Sequence, residues 1–204
     1  ARASELAASL GTEVAGLLAS TIGRLCTGEV RELQRAYQVD RTVADYEAAI
    51  EGKTAALYST ACRIGGIVGD LPRTHVDALT DYGLHYGMAF QVVDDILDVV
   101  ATDDELGKPA GHDMAEGVYN LPVLRTLAGP GGGELRSLLG GPLEPAAQQR
   151  ALAIVRRGDG VAQSITEAGA YVDRAVADLG RLPPTPAGEA LAAASRHLLV
   201  GLDR

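Results

Sequence analysis

The sequence predicts an all-α fold. Apolar residues recur at helical spacing through most of the 204 residues, no strand pattern of useful length occurs, and no internal repeat is evident. Ala, Leu and Val are abundant, Trp is absent and Phe occurs once, which suits helices packed closely through small side chains. The length fits one domain, residues 1–204, large enough to bury a core. A net charge of −9 argues against nucleic acid and anionic membrane surfaces as main partners. It does not exclude an anionic substrate, because a bound divalent metal inverts the local sign. With no signal peptide and no run of about 18 apolar residues, the chain reads as cytoplasmic and soluble, without stable membrane insertion. Cys26 and Cys62 read as small core residues in a reducing compartment.

The first segment, Leu6 to Tyr37, carries apolar residues at Leu6, Leu10, Val14, Leu17, Leu18, Ile22, Leu25, Val30 and Leu33. Gly11-Thr12 separates a short helix from a long one, which runs on through Gly28-Glu29. This long helix serves core packing or an oligomer interface. Asp40-Arg41-Thr42 is a turn and N-cap, and a second helix extends from Val43 to about Val68. Gly52-Lys53-Thr54 inside it suggests a phosphate-binding loop, but Glu47 stands where that loop needs Gly and no strand precedes it. What remains is a Gly able to bend the helix. Beyond it Ala55, Ala56, Ser59, Thr60, Ala61, Gly65, Gly66 and Gly69 allow either tight packing or room beside a slender apolar ligand.

Asp70-Leu71-Pro72 breaks the chain, and Thr74 to Val100 forms the central helix. Wound at about 100° per residue, it sets Asp94, Asp95 and Asp98 within about 60° of Gln91. Val92, Val93, Ile96, Leu97, Val99 and Val100 fill the rest of the circle, as in a core helix. Acidic stripes are usually solvated. Here no Lys or Arg follows at i+4, and toward the N-terminus the stripe continues as Gly87 and Leu84, like a cavity wall. Three like charges in such a wall need a cation to offset them. Oxygen ligands without His or Cys favour a hard cation such as Mg²⁺.

A Gly-rich, charged loop over 101–113 follows and carries Lys108 between Gly107 and Pro109, a basic residue able to return toward the acidic stripe. Met114 to Ala128 is helical with an interruption at Asn120-Leu121-Pro122. Gly129–Gly133 and Gly140–Pro145 are connectors, and amphipathic helices follow at Gln148–Arg157, Val161–Leu179 and Pro186–Val200.

Four motifs together give the chain a resemblance. They are Glu51-Gly52-Lys53-Thr54-Ala55-Ala56-Leu57, Phe90-Gln91-x-x-Asp94-Asp95-x-x-Asp98, Gly107-Lys108-Pro109-x-Gly111-x-Asp113 and Glu116-Gly117-x-x-x-Leu121-Pro122. A bare Asp-Asp-x-x-Asp is weak in so acidic a chain; the four in order are strong. With Cys26-Thr27-Gly28-Glu29 and the C-terminal helices, the chain resembles the trans-isoprenyl (polyprenyl) diphosphate synthases along nearly its whole length.

The resemblance implies an isoprenoid-synthase-type helical bundle and a Mg²⁺-dependent prenyltransferase. Such an enzyme condenses an allylic diphosphate with isopentenyl diphosphate into a linear all-trans polyprenyl diphosphate. It implies Asp94, Asp95 and Asp98 as metal-binding residues, Asp94 foremost, with Lys53 and Lys108 on the allylic diphosphate. The Thr54 hydroxyl, the Gln91 amide and the Lys53 carbonyl would face the developing cation. It also implies a homodimer through the long Gly11–Tyr37 helix. The alternative is a non-catalytic subunit of the same fold that stabilises or regulates a catalytic partner. The family's first aspartate-rich motif is nowhere in this sequence, so the resemblance implies a bundle incomplete at the N-terminus, with an open cavity. Val118 and Asn120 stand where many members carry Lys and Thr.

Overall fold

Nearly every segment with helical periodicity is helical in the computed structural model, which describes residues 1–101 and 110–202. In order these are α1 (Arg2–Ser9), α2 (Thr12–Gln34), α3 (Val43–Ile50), a π-helical turn (Glu51–Ala55) and α4 (Ala56–Val68). Then come α5 (Arg73–Val100), α6 (His112–Ala115), α7 (Leu121–Ala128), α8 (Gly132–Leu138), α9 (Pro145–Arg157), α10 (Gly160–Leu179) and α11 (Pro186–His197). Among the described residues there is no strand, and no helix is long and apolar enough to cross a membrane.

Local chemistry explains the boundaries. Gly11, at φ 105°, takes a conformation other residues resist and divides α1 from α2. Thr42 caps α3 through a reciprocal box with Asp45. Pro145 and Pro186 open α9 and α11 at positions where the missing N–H is not needed. Residues 129–133, read from sequence as a connector, form one only to Gly131; α8 begins at Gly132, which packs against the Leu127 backbone.

Helix α5 is the axis, with α4 and α10 packed along it. Val92, Ile96 and Val99 of α5 are fully or almost fully buried with Tyr46, Ile50, Tyr119, Leu121 and Val155. Gly83 and Gly87 bring α5 to backbone contact with α4 and the π-helical turn: a Cβ at Gly83 would stand 2.6 Å from Tyr58 O, and one at Gly87 2.6 Å from Ala55 Cα. The stretch from Gly87 back to Leu84 is therefore helix packing, not the cavity wall its sequence resembles. Ala55 of the π-helical turn and Ala56, Ser59, Thr60 and Gly66 of α4 are likewise buried, so these small residues serve packing, whereas Ala61 and Gly65 lie exposed.

Helix α2 departs from its apolar pattern. It buries Val14, Thr21, Gly28 and Glu32, and leaves Ile22, Val30 and Leu33 exposed. Thr21 and Thr60 share a buried hydroxyl contact of 2.6 Å between α2 and α4. Both cysteines are free thiols, but Cys26 is exposed and Cys62 half-buried, so Cys26 is not a core residue.

Helix α2 meets the π-helical turn at Gly28 with backbone against backbone. A Cβ there would stand 2.8 Å from Gly52 C, 2.9 Å from Ala49 O and closer still to Lys53 N. All three are backbone atoms and cannot rotate away. Gly28→Ala should therefore lower the unfolding free energy by about 2–3 kcal/mol in urea titration. Gly23→Ala on the same helix, where nothing lies within 4 Å, should raise it by up to about 1 kcal/mol.

Candidate functional site

The helix continuing from Val43 is interrupted where sequence placed a Gly able to bend it, and the interruption is the π-helical turn. Such turns carry an extra residue and cluster at functional sites. This one presents Thr54 toward α5 and Lys53 toward Glu32 of α2. Thr54 Oγ1 donates to Gln91 Oε1 at 2.7 Å, and Gln91 Nε2 donates to Asp95 Oδ1 at 2.9 Å. From α3, Tyr46 Oη donates to Asp95 Oδ2 at 2.5 Å. Asn120, at the start of α7, donates to the Asp95 carbonyl at 3.3 Å. Side chains from α3, α5 and α7 thus converge on Asp95, and the π-helical turn joins them through Gln91.

The three aspartates have different surroundings. Asp95 is buried with both carboxylate oxygens engaged. Asp98 is also buried, and its Oδ2 accepts the Asp113 N–H at 3.4 Å. Asp94 is exposed, beside Phe90 and Leu97 on α5, which are also exposed. The single narrow arc drawn from helical geometry therefore splits into two inward carboxylates and one facing outward. The face around Asp94 is open, not a dry pocket.

Burial pushes the Asp95 carboxyl from its ordinary 3.8 up to about 7, against the opposing pull of hydrogen bonds from Tyr46 and Gln91 and of the Lys53 charge. Burial, then the neighbouring Asp95, raises the Tyr46 phenol well above 10.

Lys53 has a partner that the sequence did not reveal. Its Nζ donates to Glu32 Oε2 at 2.6 Å, and the other Glu32 oxygen lies 3.6 Å from Arg41 Nη2. Arg41 Nη1 donates to the Tyr119 carbonyl at 3.1 Å, and its guanidinium lies 5.6 Å from the Tyr46 ring centre. Lys108 lies outside the described residues.

Among the described residues, no three His, Cys, Asp or Glu side chains converge to hold a metal ion. The donors on α5 are carboxylate oxygens, and the exposed Asp94 is the carboxylate open to a cation. This fits a hard metal that completes its shell with water and ligand oxygens, not an ion caged by protein alone.

The polyprenyl synthetase family profile matches residues 1–165. The chain belongs to this family. It is 37% identical to the nonaprenyl diphosphate synthase of Mycobacterium tuberculosis, covering 97% of this chain and 61% of that protein. It is 34% identical to heptaprenyl diphosphate synthase component 2 of Geobacillus stearothermophilus, over 90% of this chain and 58% of that one. Among solved structures, the geranylgeranyl pyrophosphate synthase of Corynebacterium glutamicum, complexed with calcium and isoprenyl diphosphate, superposes with a TM-score of 0.86 at 36% identity. That match covers 97% of this chain and 62% of the other. The chain thus spans about three fifths of the length of these family members.

Sequence reading missed Tyr46, Glu32 and Arg41. Glu32 was detectable: Val14, Thr21, Gly28 and Glu32 recur at intervals of seven, seven and four, one face of a helix, but only if small and polar residues are counted with apolar ones. Arg41 and Tyr46 carried no signal in local spacing.

The raised Asp95 carboxyl couples stability to pH. Between about 4 and 7 the folded state keeps a proton that the unfolded chain has released. This contribution is complete below about pH 4 and is lost as pH rises through about 7. Urea titrations of Asp95→Asn and the parent should show the difference moving in the variant's favour by roughly 1–3 kcal/mol between pH 4 and pH 8. A difference independent of pH would contradict the buried carboxyl's role.

Proposed function

We propose that this chain supplies the allylic diphosphate site of a Mg²⁺-dependent prenyltransferase. The reaction condenses an allylic diphosphate with isopentenyl diphosphate to give a linear all-trans polyprenyl diphosphate. The observation that carries this reading is the assembly of Lys53, Thr54 and Gln91 around an inward Asp95, with Asp94 left open, in a polyprenyl synthetase chain.

In this reading Asp94 is the direct metal ligand, supported by Asp98, while Asp95 anchors the helix that carries both. Lys53 and Lys108 hold the diphosphate, and the Thr54 hydroxyl, the Gln91 amide and the Lys53 carbonyl oxygen face the allylic carbon as positive charge develops. Thr54 has spent its proton on Gln91, so the lone pairs of its oxygen remain for that cation. The chemistry a bound Mg²⁺ supplies is neutralisation of charge on the departing pyrophosphate. The calcium and isoprenyl diphosphate named with the Corynebacterium structure support a divalent cation beside a prenyl diphosphate here.

The exposed Ile22, Val30 and Leu33 on α2 support a homodimer through that helix. Relatives named heptaprenyl diphosphate synthase component 2 and decaprenyl-diphosphate synthase subunit 1 support a second reading, a subunit that stabilises or regulates a catalytic partner. Purified full-length protein separates the two: condensation without a partner supports the first.

Asp94→Ala in that protein should reduce the Mg²⁺-dependent condensation rate by roughly a thousandfold or more, measured with radiolabelled isopentenyl diphosphate. Full activity in the variant would remove the metal assignment.

A further inference from the structure

Glu32 lies outside every motif that carries the family resemblance, yet it makes the shortest contact to Lys53. Exposure falls inward along the cluster: 21% for the Lys53 side chain, 9% for Glu32 and 1% for Arg41. The Lys53 side chain keeps partial exposure, while the carboxylate and guanidinium behind it are closed off. The two elements that carry the pair are also fixed to each other. Gly28, one turn before Glu32 on α2, touches the backbone of Gly52 and Lys53 with no room for a methyl group.

We propose that Glu32 is a positioning residue for Lys53, with Arg41 holding Glu32 in turn. The carboxylate fixes one N–H of the Lys53 ammonium and leaves the other two for the phosphate oxygens of an incoming diphosphate. Holding a long, flexible side chain in place beforehand removes an entropy loss that binding would otherwise carry. Glu32 is not merely neutralising Arg41, whose Nη2 stands 3.6 Å from it while Lys53 approaches to 2.6 Å. Two cations share this one carboxylate, so the cluster retains positive charge for an anion. Asp95, the other carboxylate whose charge Lys53 feels, has its oxygens engaged by Tyr46 and Gln91.

The proposal rests on the assignment of Lys53 to the diphosphate, and a double-mutant cycle separates the two. Calorimetry of inorganic pyrophosphate with Mg²⁺, on the full-length protein, compares the parent with Lys53→Met, Glu32→Gln and the double variant. Lys53→Met should weaken binding about tenfold or more, and Glu32→Gln on the order of fivefold, the scale of immobilising one long side chain. The double variant should bind no more weakly than Lys53→Met alone. A carboxylate that only competed with the ligand for Lys53 would give tighter binding on neutralisation; one that only balanced Arg41 would lower the urea midpoint and leave affinity unchanged. Either result overturns the positioning role, as does an effect of Glu32→Gln that persists without Lys53. Parental affinity in Lys53→Met overturns the diphosphate assignment and the proposal with it. If Glu32→Gln does not fold, Glu32→Gln with Arg41→Gln replaces the buried ions by amides, and its affinity with and without Lys53→Met is read in the same way.

Discussion

The carboxyl of Asp95, with both oxygens accepting hydrogen bonds deep in the bundle, is the constraint on which the site depends. Tyr46 reaches it from α3, Gln91 from the preceding turn of α5, and Asn120 binds the carbonyl of the same residue from the start of α7. An unsatisfied carboxylate at this depth would be strongly destabilising, so these partners are a condition of the fold and not an ornament on it. Because Thr54 bonds to Gln91, the π-helical turn is tied into the same network. Rotating α5 would break it in several places at once, and this fixes the direction in which Asp94 faces.

Much of the architecture was legible because helices leave a strong local trace. The capping residue Thr42, the break at Asp70-Leu71-Pro72 and an irregularity at Gly52 were all readable, since each follows from the chemistry of one or two neighbouring residues. Depth was not. A helical wheel gives the angle of Asp94, Asp95 and Asp98 about their own axis, but not how far α3 and α7 extend over that angle. Two of the three ended inside and one outside. The stripe of Gly87 and Leu84 looked like a wall because absence of charge reads alike for a cavity and for a packed neighbour. Only the position of Ala55 decides between them.

The site itself was half visible. Lys53, Thr54 and Gln91 stood in recognisable motifs, and Thr54 and Gln91 do come together, although they are nearly forty residues apart in sequence. Their partners were invisible for a physical reason: Glu32, Arg41 and Tyr46 act through long-range pairing, and a buried charge looks like a surface charge until something covers it. Arg41 is the clearest case, since a turn before an N-cap ordinarily leaves such a side chain in water. Here the backbone of Tyr119 and the ring of Tyr46 enclose it.

The π-helical turn also carries a lesson for numbering faces. The one additional residue between Glu51 and Ala55 sets α3 and α4 out of phase by about 100°, so a wheel drawn continuously from Val43 to Val68 misplaces one half of the helix. Deleting a single position inside the turn would restore an unbroken α-helical spiral. With α4 kept in its seat by Gly83 against Tyr58 and Ser59, the mismatch would swing Tyr46 off its carboxylate.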